Sequence, residues 1–476
     1  MRVGTRGPDP KSVAGRPVHR RGEPDGAGDA LAPSPASAAA RRMTTLNRLV
    51  GNHQLNRLIR PHVREAGGSL TAAGPRIVQR DILGDLLDLL QGITPEDRKK
   101  IDAEIATFRK KKFPALKSHK PSSGLGQFDA AFDPATGRLT VTLRVGFKFV
   151  NGKKGNVPAG FRSSEFVWKS SEAAKWKKQY MTDVGTLWSD KHKFKSTKKG
   201  WRAVTVDTTV KVVEATAKPH FIATVAKYPP DAAMVQSSIC PPGTHHQGRL
   251  CMPNAGGAGH GTASLDSNDM RPEQKLDWGN ATTAIPFAVN LAALNAAGTA
   301  ALTPIVTAMK ADAAMHVELT GHANNTRSRG QTAAEGGIVN MDLSRKRTSA
   351  VVGHLTSQGI SADRIFIRNQ GETGATADVA WCRVDAQTGK KQTQDPALHE
   401  TGHMLGLDDE YPTPGVAAGS AMPAAYDAMI KGTTGDVVTH GRNEGAMSVG
   451  STVQKWHYSS FLEALRTMSG MPEWGV

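Results

Sequence analysis

The sequence predicts an α+β fold, and three observations carry that prediction. Alternating apolar and polar residues at 138–149, 201–215 and 220–228 read as half-buried strands. From 285 to 385 the pattern changes to helix, strand, helix, strand, which is a compact α/β unit. Residues 1–42 are rich in Pro, Gly, Ala and Arg and cannot bury enough apolar surface to fold, so the leader is largely disordered. The chain has 476 residues, enough for about three units at ~150 residues each. Its 38% hydrophobic fraction rises to about 47% once Gly is counted as apolar and Tyr is not, an ordinary folded composition.

Within the leader, MTTLNRLVGNHQLNRLI (43–59) places Leu46, Leu49, Val50, Leu55, Leu58 and Ile59 at helical spacing around Gly51-Asn52. Such a peptide is too short to be stable alone and expects a partner to order it. DILGDLLDLLQG (81–92) reads as an amphipathic helix. A second helix, 94–112, opens on Thr94-Pro95-Glu96-Asp97, an N-cap with Pro in the first turn. Between the strands, 170–189 reads as a helix, and residues 237–280 are Gly/His/Pro/Asn-rich and read as loop. In the α/β unit an Ala/Leu helix (290–311) leads to strand 315–322, helix 343–359 and strand 364–372. The boundaries are therefore a leader at 1–80, a helical linker at 81–123, a β-rich subdomain at 124–280, an inserted α/β domain at 281–388 and a final segment at 389–476.

The net charge of +17 permits nucleic acid, an anionic surface or plain solubility. The densest cluster, nine Lys against three acids over 169–199, lacks aromatic side chains arranged for base stacking and reads as a solvated face. No nucleic-acid partner is expected. The N-terminus has no apolar core of a secretory signal peptide. The longest uncharged stretch, Gly279 to Met309, is too polar for a transmembrane segment. Three cysteines allow at most one pair, for which Cys240 and Cys251 are the candidates, leaving Cys382 over.

ALHETGHMLGLDDEY (397–411) carries the chemistry. His399 and His403 stand at i and i+4, so on a helix both imidazoles share one face and reach one metal, with Glu400 beside them. Gly406 lets the helix stop, and Asp409 falls where a third ligand is needed; spacing favours it over Asp408 and Glu410. Three protein ligands and an open position mark a catalytic Zn2+ rather than a structural one. Zinc acidifies water, Glu400 accepts its proton as general base, and the proton passes to the leaving amine.

HExxHxxGLxD resembles the metzincin zinc metalloproteases, in the snapalysin-like variant with Asp as third ligand. The resemblance implies a zincin core split between 124–280 and 389–476, one catalytic zinc ion held by His399, His403 and Asp409, and a protein or peptide substrate. It also implies a Met-turn, which GAMSVG (445–450) supplies at Met447. Many relatives place a Tyr two residues after that Met; here Val449 stands there, leaving Tyr411 or Tyr458 to support the transition state. HGTASLD (260–266) is the expected substrate-side edge strand, to which extended substrate would pair. His440 and His457 are read as structural.

The segment 281–388 resembles the OmpA-like peptidoglycan-binding domain through VELTGHAN (317–324), Asn340, LSRKRTSAVVGHLTSQGI (343–360), DRIFIRNQGE (363–372) and RVD (383–385). In that family an Asp and an Arg grip the wall peptide. The Arg maps to Arg347, but the Asp maps to Asn324, so the charge that would pair an ammonium is gone. A charge-assisted contact is about twice as strong as the neutral one that remains. Finally, 43–59 followed by IVQR (77–80) resembles the N-terminal motif of cargo and toxins of extracellular contractile injection systems. That resemblance implies a bacterial protein made in the cytoplasm without a signal peptide and delivered outside, or into a target cell, by the particle. The expectation is thus a secreted toxin-like zinc endopeptidase. The alternatives are a non-catalytic peptidoglycan-binding or docking protein, and a metal-dependent peptidoglycan peptidase.

Overall fold

The computed structural model describes Asp88 and residues 91–476, apart from 233–236, 241–243, 248–249, 254–259, 271–272, 275–281, 391–392, 413–415 and 442–443. The loading motif at 43–59, IVQR at 77–80, most of the 81–92 helix and the Cys251 side chain lie outside the described residues. The chain divides into Met1–Gly92 and Ile93–Val476, and every helix and strand named below belongs to the second unit.

Helix α1 (Pro95–Arg109) starts where the sequence places it, with a capping box in which the Thr94 side chain accepts from Asp97 N–H. After it, β1 (Leu116–His119) and β2 (Phe128–Asp133) lead into the 14-residue β3 (Arg138–Asn151). Helix α2 (Ser170–Trp188) crosses over to β4 (Phe194–Ser196) and β5 (Thr205–Glu214), and β6 (Phe221–Lys227) follows. The alternation of buried and part-exposed side chains along β3, β5 and β6 is what a sheet covered mainly on one face requires.

The Gly/His-rich stretch departs from its loop reading. It contains β7 (Ser238–Cys240), a hairpin of β8 (Thr244–Gln247) and β9 (Leu250–Pro253), β10 (Gly261–Asp266) and β11 (Glu273–Gln274). β10 runs parallel to β6, and β7 pairs antiparallel on its other side. The edge assigned to 260–266 therefore belongs to β7. Loop-type composition hid this because pairing on an existing sheet edge is decided by the neighbouring strand.

Nine described strands make the main sheet, in the order β17-β4-β5-β3-β6-β10-β7 with β2 and β1 alongside, where β17 is Trp474–Gly475. β3 organises it. Its first half pairs antiparallel with β2, its second half parallel with β6 on the same edge, and β5 runs parallel on the opposite edge. One core joins this sheet to α2 and to the C-terminal helices through Trp188, Phe128, Tyr180, Met447, Phe461 and Trp474.

The α/β unit has its own core, as a domain should. It runs β12 (Thr283–Pro286), α3 (Ala296–Ala311), β13 (Met315–His322), α4 (Ala333–Ser357), β14 (Ile365–Gly371) and β15 (Arg383–Lys390), with strand order β12-β15-β13-β14. α3 begins at Ala296, where Asn295 caps it, and α4 begins ten residues before the expected 343, on a Thr332–Glu335 capping box. The return to the main core is β16 (Thr393–Gln394), which pairs with β11. α5 (Pro396–Met404), α6 (Ala424–Thr433) and α7 (Ser459–Ser469) complete the chain. Among the described residues no helix is long and apolar enough to cross a membrane.

Candidate metal centre

α5 is nine residues long and opens on Pro396, whose missing N–H is no loss in the first turn. Its position is set from behind. Tyr180 of α2 shares a 2.8 Å hydrogen bond with Thr401, and Trp188 Nε1 donates to Leu398 O. Met447 lies directly beneath the helix: a Cβ on Gly402 would come within 2.1 Å of Met447 Sδ. Only glycine at 402 permits this approach. Gly406, at φ +97°, ends the helix in a conformation that L side chains rarely adopt, and the chain turns back to Asp409.

These constraints bring His399, His403 and Asp409 together, with one ligand-type atom from each inside a 4.8 Å cluster. Asp409 Oδ1 lies 2.9 Å from His399 Nε2 and 3.4 Å from His403 Nε2. Each ring is oriented from its far side: His399 Nδ1 sits 2.9 Å from Ala446 O, and His403 Nδ1 2.9 Å from Leu407 O. Leu407 O can only accept, so His403 Nδ1 donates to it, while His399 Nδ1 lies between Ala446 O and the Gln394 amide nitrogen, and both Nε2 atoms face Asp409. Three lone-pair donors facing one another need a cation or a shared proton between them. Two imidazoles and a carboxylate are the donor set of a divalent transition metal, so the residues present fit the expected zinc.

The electrostatics agree. Burial acts against a charge on His403, yet the adjacent Asp409 carboxylate outweighs it and lifts the pKa to about 10. Burial likewise acts to raise Asp409, but the two imidazoles hold it well below the carboxylate range. Burial raises Asp408.

Glu400 is buried on the same helix. Nearby, Asp269 accepts the Ala397 N–H at its backbone oxygen, and burial followed by the Asp266 charge pushes its carboxyl well above the usual range. Tyr411 stands beside the centre, its ring 5.8 Å from that of His399. Tyr458 does not. It is fully buried, its hydroxyl donating to Trp188 O and accepting from Lys191 N–H, so it cannot serve a transition state. His457 is buried against Glu410, and His440 is buried with its backbone N–H on Ser420 O. Cys240 is disulfide-bonded, while Cys382 is a buried free thiol.

In the α/β unit, Asn324 follows the end of β13 and Arg347 lies midway along α4, and both are buried. The Arg347 guanidinium donates to Leu291 O at 2.9 Å, His322 O at 2.9 Å and Ala288 O at 3.2 Å, with its Cζ 5.5 Å from the Phe287 ring centroid. Asn324 Nδ2 donates to Thr326 Oγ1 at 2.8 Å. Sequence reasoning missed Gln394, whose amide nitrogen lies 2.5 Å from His399 Nδ1 and donates to Ser448 O. It also missed the role of Glu410. Neither residue type announces itself without the tertiary contact.

No curated protein matches the chain. Among solved structures, similarity is found to the OmpA-like domain of FopA1 from Francisella tularensis, at 27% identity over 24% of this chain and 74% of that one, with a TM-score of 0.21. The peptidoglycan-associated lipoprotein of Burkholderia pseudomallei matches at 18% identity over 22% and 90% of the two chains, with a TM-score of 0.19. A putative MotB-like protein from Desulfovibrio vulgaris matches at 12% identity over 22% and 71%, also at 0.19. Residues 286–387 match the OmpA family, and this stretch of the chain is an OmpA-like domain.

Proposed function

We propose that the chain is a zinc-dependent endopeptidase of metzincin type that carries the OmpA-like domain as an insertion. The observation behind this reading is the convergence of His399, His403 and Asp409, with a backbone carbonyl 2.9 Å from the Nδ1 atom of each histidine. When bound, zinc would supply Lewis-acid chemistry, acidifying water and polarising the scissile carbonyl. Glu400 takes the proton from the attacking water onto its carboxylate and returns it to the amine as the C–N bond breaks. Asp409 fixes the third ligand position from the loop. Tyr411 is the remaining tyrosine placed to support the developing charge. β7, the edge of the main sheet, is the strand to which an extended substrate would pair. The Leu spacing of 43–59 supports cargo status in a contractile injection particle, with bacterial cytoplasmic synthesis and external delivery.

The test is zinc content together with cleavage of an unfolded protein, for wild type and Glu400→Gln. About one zinc per chain in both, with cleavage lowered about 10²- to 10⁴-fold in the variant, is expected. No zinc uptake, or equal cleavage by both, removes the reading.

The family match over 286–387 favours a second reading, in which the protein associates with peptidoglycan through its OmpA-like domain. One of the similar structures is itself named a peptidoglycan-associated lipoprotein. Co-sedimentation of the full chain with purified peptidoglycan tests this, and retention in the supernatant rules it out. The two readings meet in a metal-dependent peptidoglycan peptidase. Release of wall peptides, rather than protein fragments, would distinguish that case.

A further inference from the structure

We infer that Glu410 is a positioning residue for the third ligand, holding Asp409 in register with the two histidines. The inference rests on the metal reading above. Asp409 sits on a loop, and its own N–H is satisfied locally by the Asp408 carboxylate at 2.9 Å. The long-range anchoring comes from the next residue. Glu410 is fully buried, its N–H donates to Met447 O at 2.8 Å, and its carbonyl accepts from Gly441 N–H at 2.6 Å. The first bond ties the ligand loop to the turn beneath α5, and the second ties it to Gly441 ahead of that turn.

The side chain adds ties to two further segments. Glu410 Oε1 accepts from Tyr426 Oη of α6 at 3.1 Å, from Trp456 Nε1 at 2.8 Å and from His457 Nε2 at 3.1 Å. The His457 tautomer follows from its other side. Gln454 N–H donates to His457 Nδ1 at 3.0 Å, so Nδ1 is the acceptor and Nε2 carries the hydrogen. Three donors from α6 and from the turn before α7 thus converge on one oxygen, whereas Oε2 has no partner among the described residues. A buried carboxylate is costly unless hydrogen-bonded, and here the bonds run to the segments that frame the ligand loop. Removing the carboxylate frees the residue next to Asp409 from both.

The experiment measures zinc affinity of the full chain by competition with a chromophoric chelator. Glu410→Ala is expected to weaken zinc about 10- to 100-fold, as loss of an outer partner of a ligand does. Glu410→Gln is expected to stay close to wild type, because its amide oxygen can still accept all three hydrogens. Leu462→Ala, in the buried face of α7, controls for lost stability and should leave zinc affinity unchanged. Undiminished affinity in Glu410→Ala, or an equal loss in Leu462→Ala, overturns the inference. Should Glu410→Ala not fold, Tyr426→Phe and Trp456→Phe each withdraw one donor and keep the carboxylate. A drop in zinc affinity in both supports the inference, and no drop overturns it. If wild type takes up no zinc, the metal reading fails and this one with it; uptake by wild type with no effect of the variants refutes this one alone.

Discussion

Gly402→Ala tests the packing that places α5 over Met447. The added Cβ would lie 2.1 Å from Met447 Sδ, 3.0 Å from Met447 Cε and 3.2 Å from Trp188 Cζ2. A thioether is flexible, but this one is fully buried and Trp188 closes the other side. Ala in place of Gly inside a helix gains about 1 kcal/mol, whereas forcing a methyl into a packed core loses about 1–3 kcal/mol. The single variant should therefore lie between neutral and about 2 kcal/mol less stable, which by itself decides little. The double-mutant cycle decides. Met447→Ala alone should lose about 2–5 kcal/mol through its cavity. When Met447→Ala is combined with Gly402→Ala, the methyl added on the helix fills part of that cavity and its clash is gone. The two changes should then couple by about 1 kcal/mol or more in the stabilising direction. The assay is urea unfolding with chelator present, so that metal linkage does not enter. Additivity within about 0.5 kcal/mol would show that Met447 does not support α5 through Gly402.

Two further outcomes follow from buried polar groups. His220 is buried between Asp129 and Arg144, and burial together with the Arg144 charge lowers its pKa from 6.5 to about 4. A histidine depressed in the folded state contributes stability that is complete above pH 6.5 and is lost as pH falls through about 4. Wild type should lose about 2 kcal/mol more than His220→Asn between pH 7 and 4.5 in urea unfolding, and parallel curves would refute this. Arg347→Met keeps the volume but leaves the carbonyls of Ala288, Leu291 and His322 short of their donor. Stability should fall by about 2–5 kcal/mol. A variant as stable as wild type that has lost peptidoglycan co-sedimentation would instead show that the guanidinium serves the ligand.

Much of the centre was legible because its determinants are local. The i, i+4 histidines need only a helix, and Gly406 and Asp409 need only the turn that follows. The three long strands were legible for the same reason, as period-two burial repeats in the side chains themselves. What failed was set by distant partners. β10 exists because β6 offers an edge and β7 because β10 then offers the next, and nothing in Gly- and His-rich composition reports that. Tyr458 lies close to Met447 in sequence, yet its side chain points into the core beneath α2. Arg347 fits a family motif, but its commitment to three carbonyls is a property of the fold. The early start of α4 is a different kind of miss, since Thr332 and Glu335 form a capping box visible in the sequence.

The place of the insertion matters for how the two domains work together. The chain leaves the main core through β11 and returns through β16, and these two-residue strands pair with each other. An insertion whose ends lie side by side disturbs its host little. The junction is nonetheless not a free tether. β16 ends at Gln394, whose amide bridges Ser448 O and the Nδ1 edge of His399, so the return of the inserted domain runs straight into the His399–His403–Asp409 cluster. A second tie lies away from that junction. Arg345 of α4 reaches Glu165 and Asp231, Asp231 also accepts from Asn369, and Met341 packs with Phe161, Phe166 and Tyr228. A hinge would need those bonds broken together, each to a charged partner and part-buried. The OmpA-like domain is therefore tied to the main core at two places, the β11–β16 junction and the Arg345 and Met341 contacts of α4.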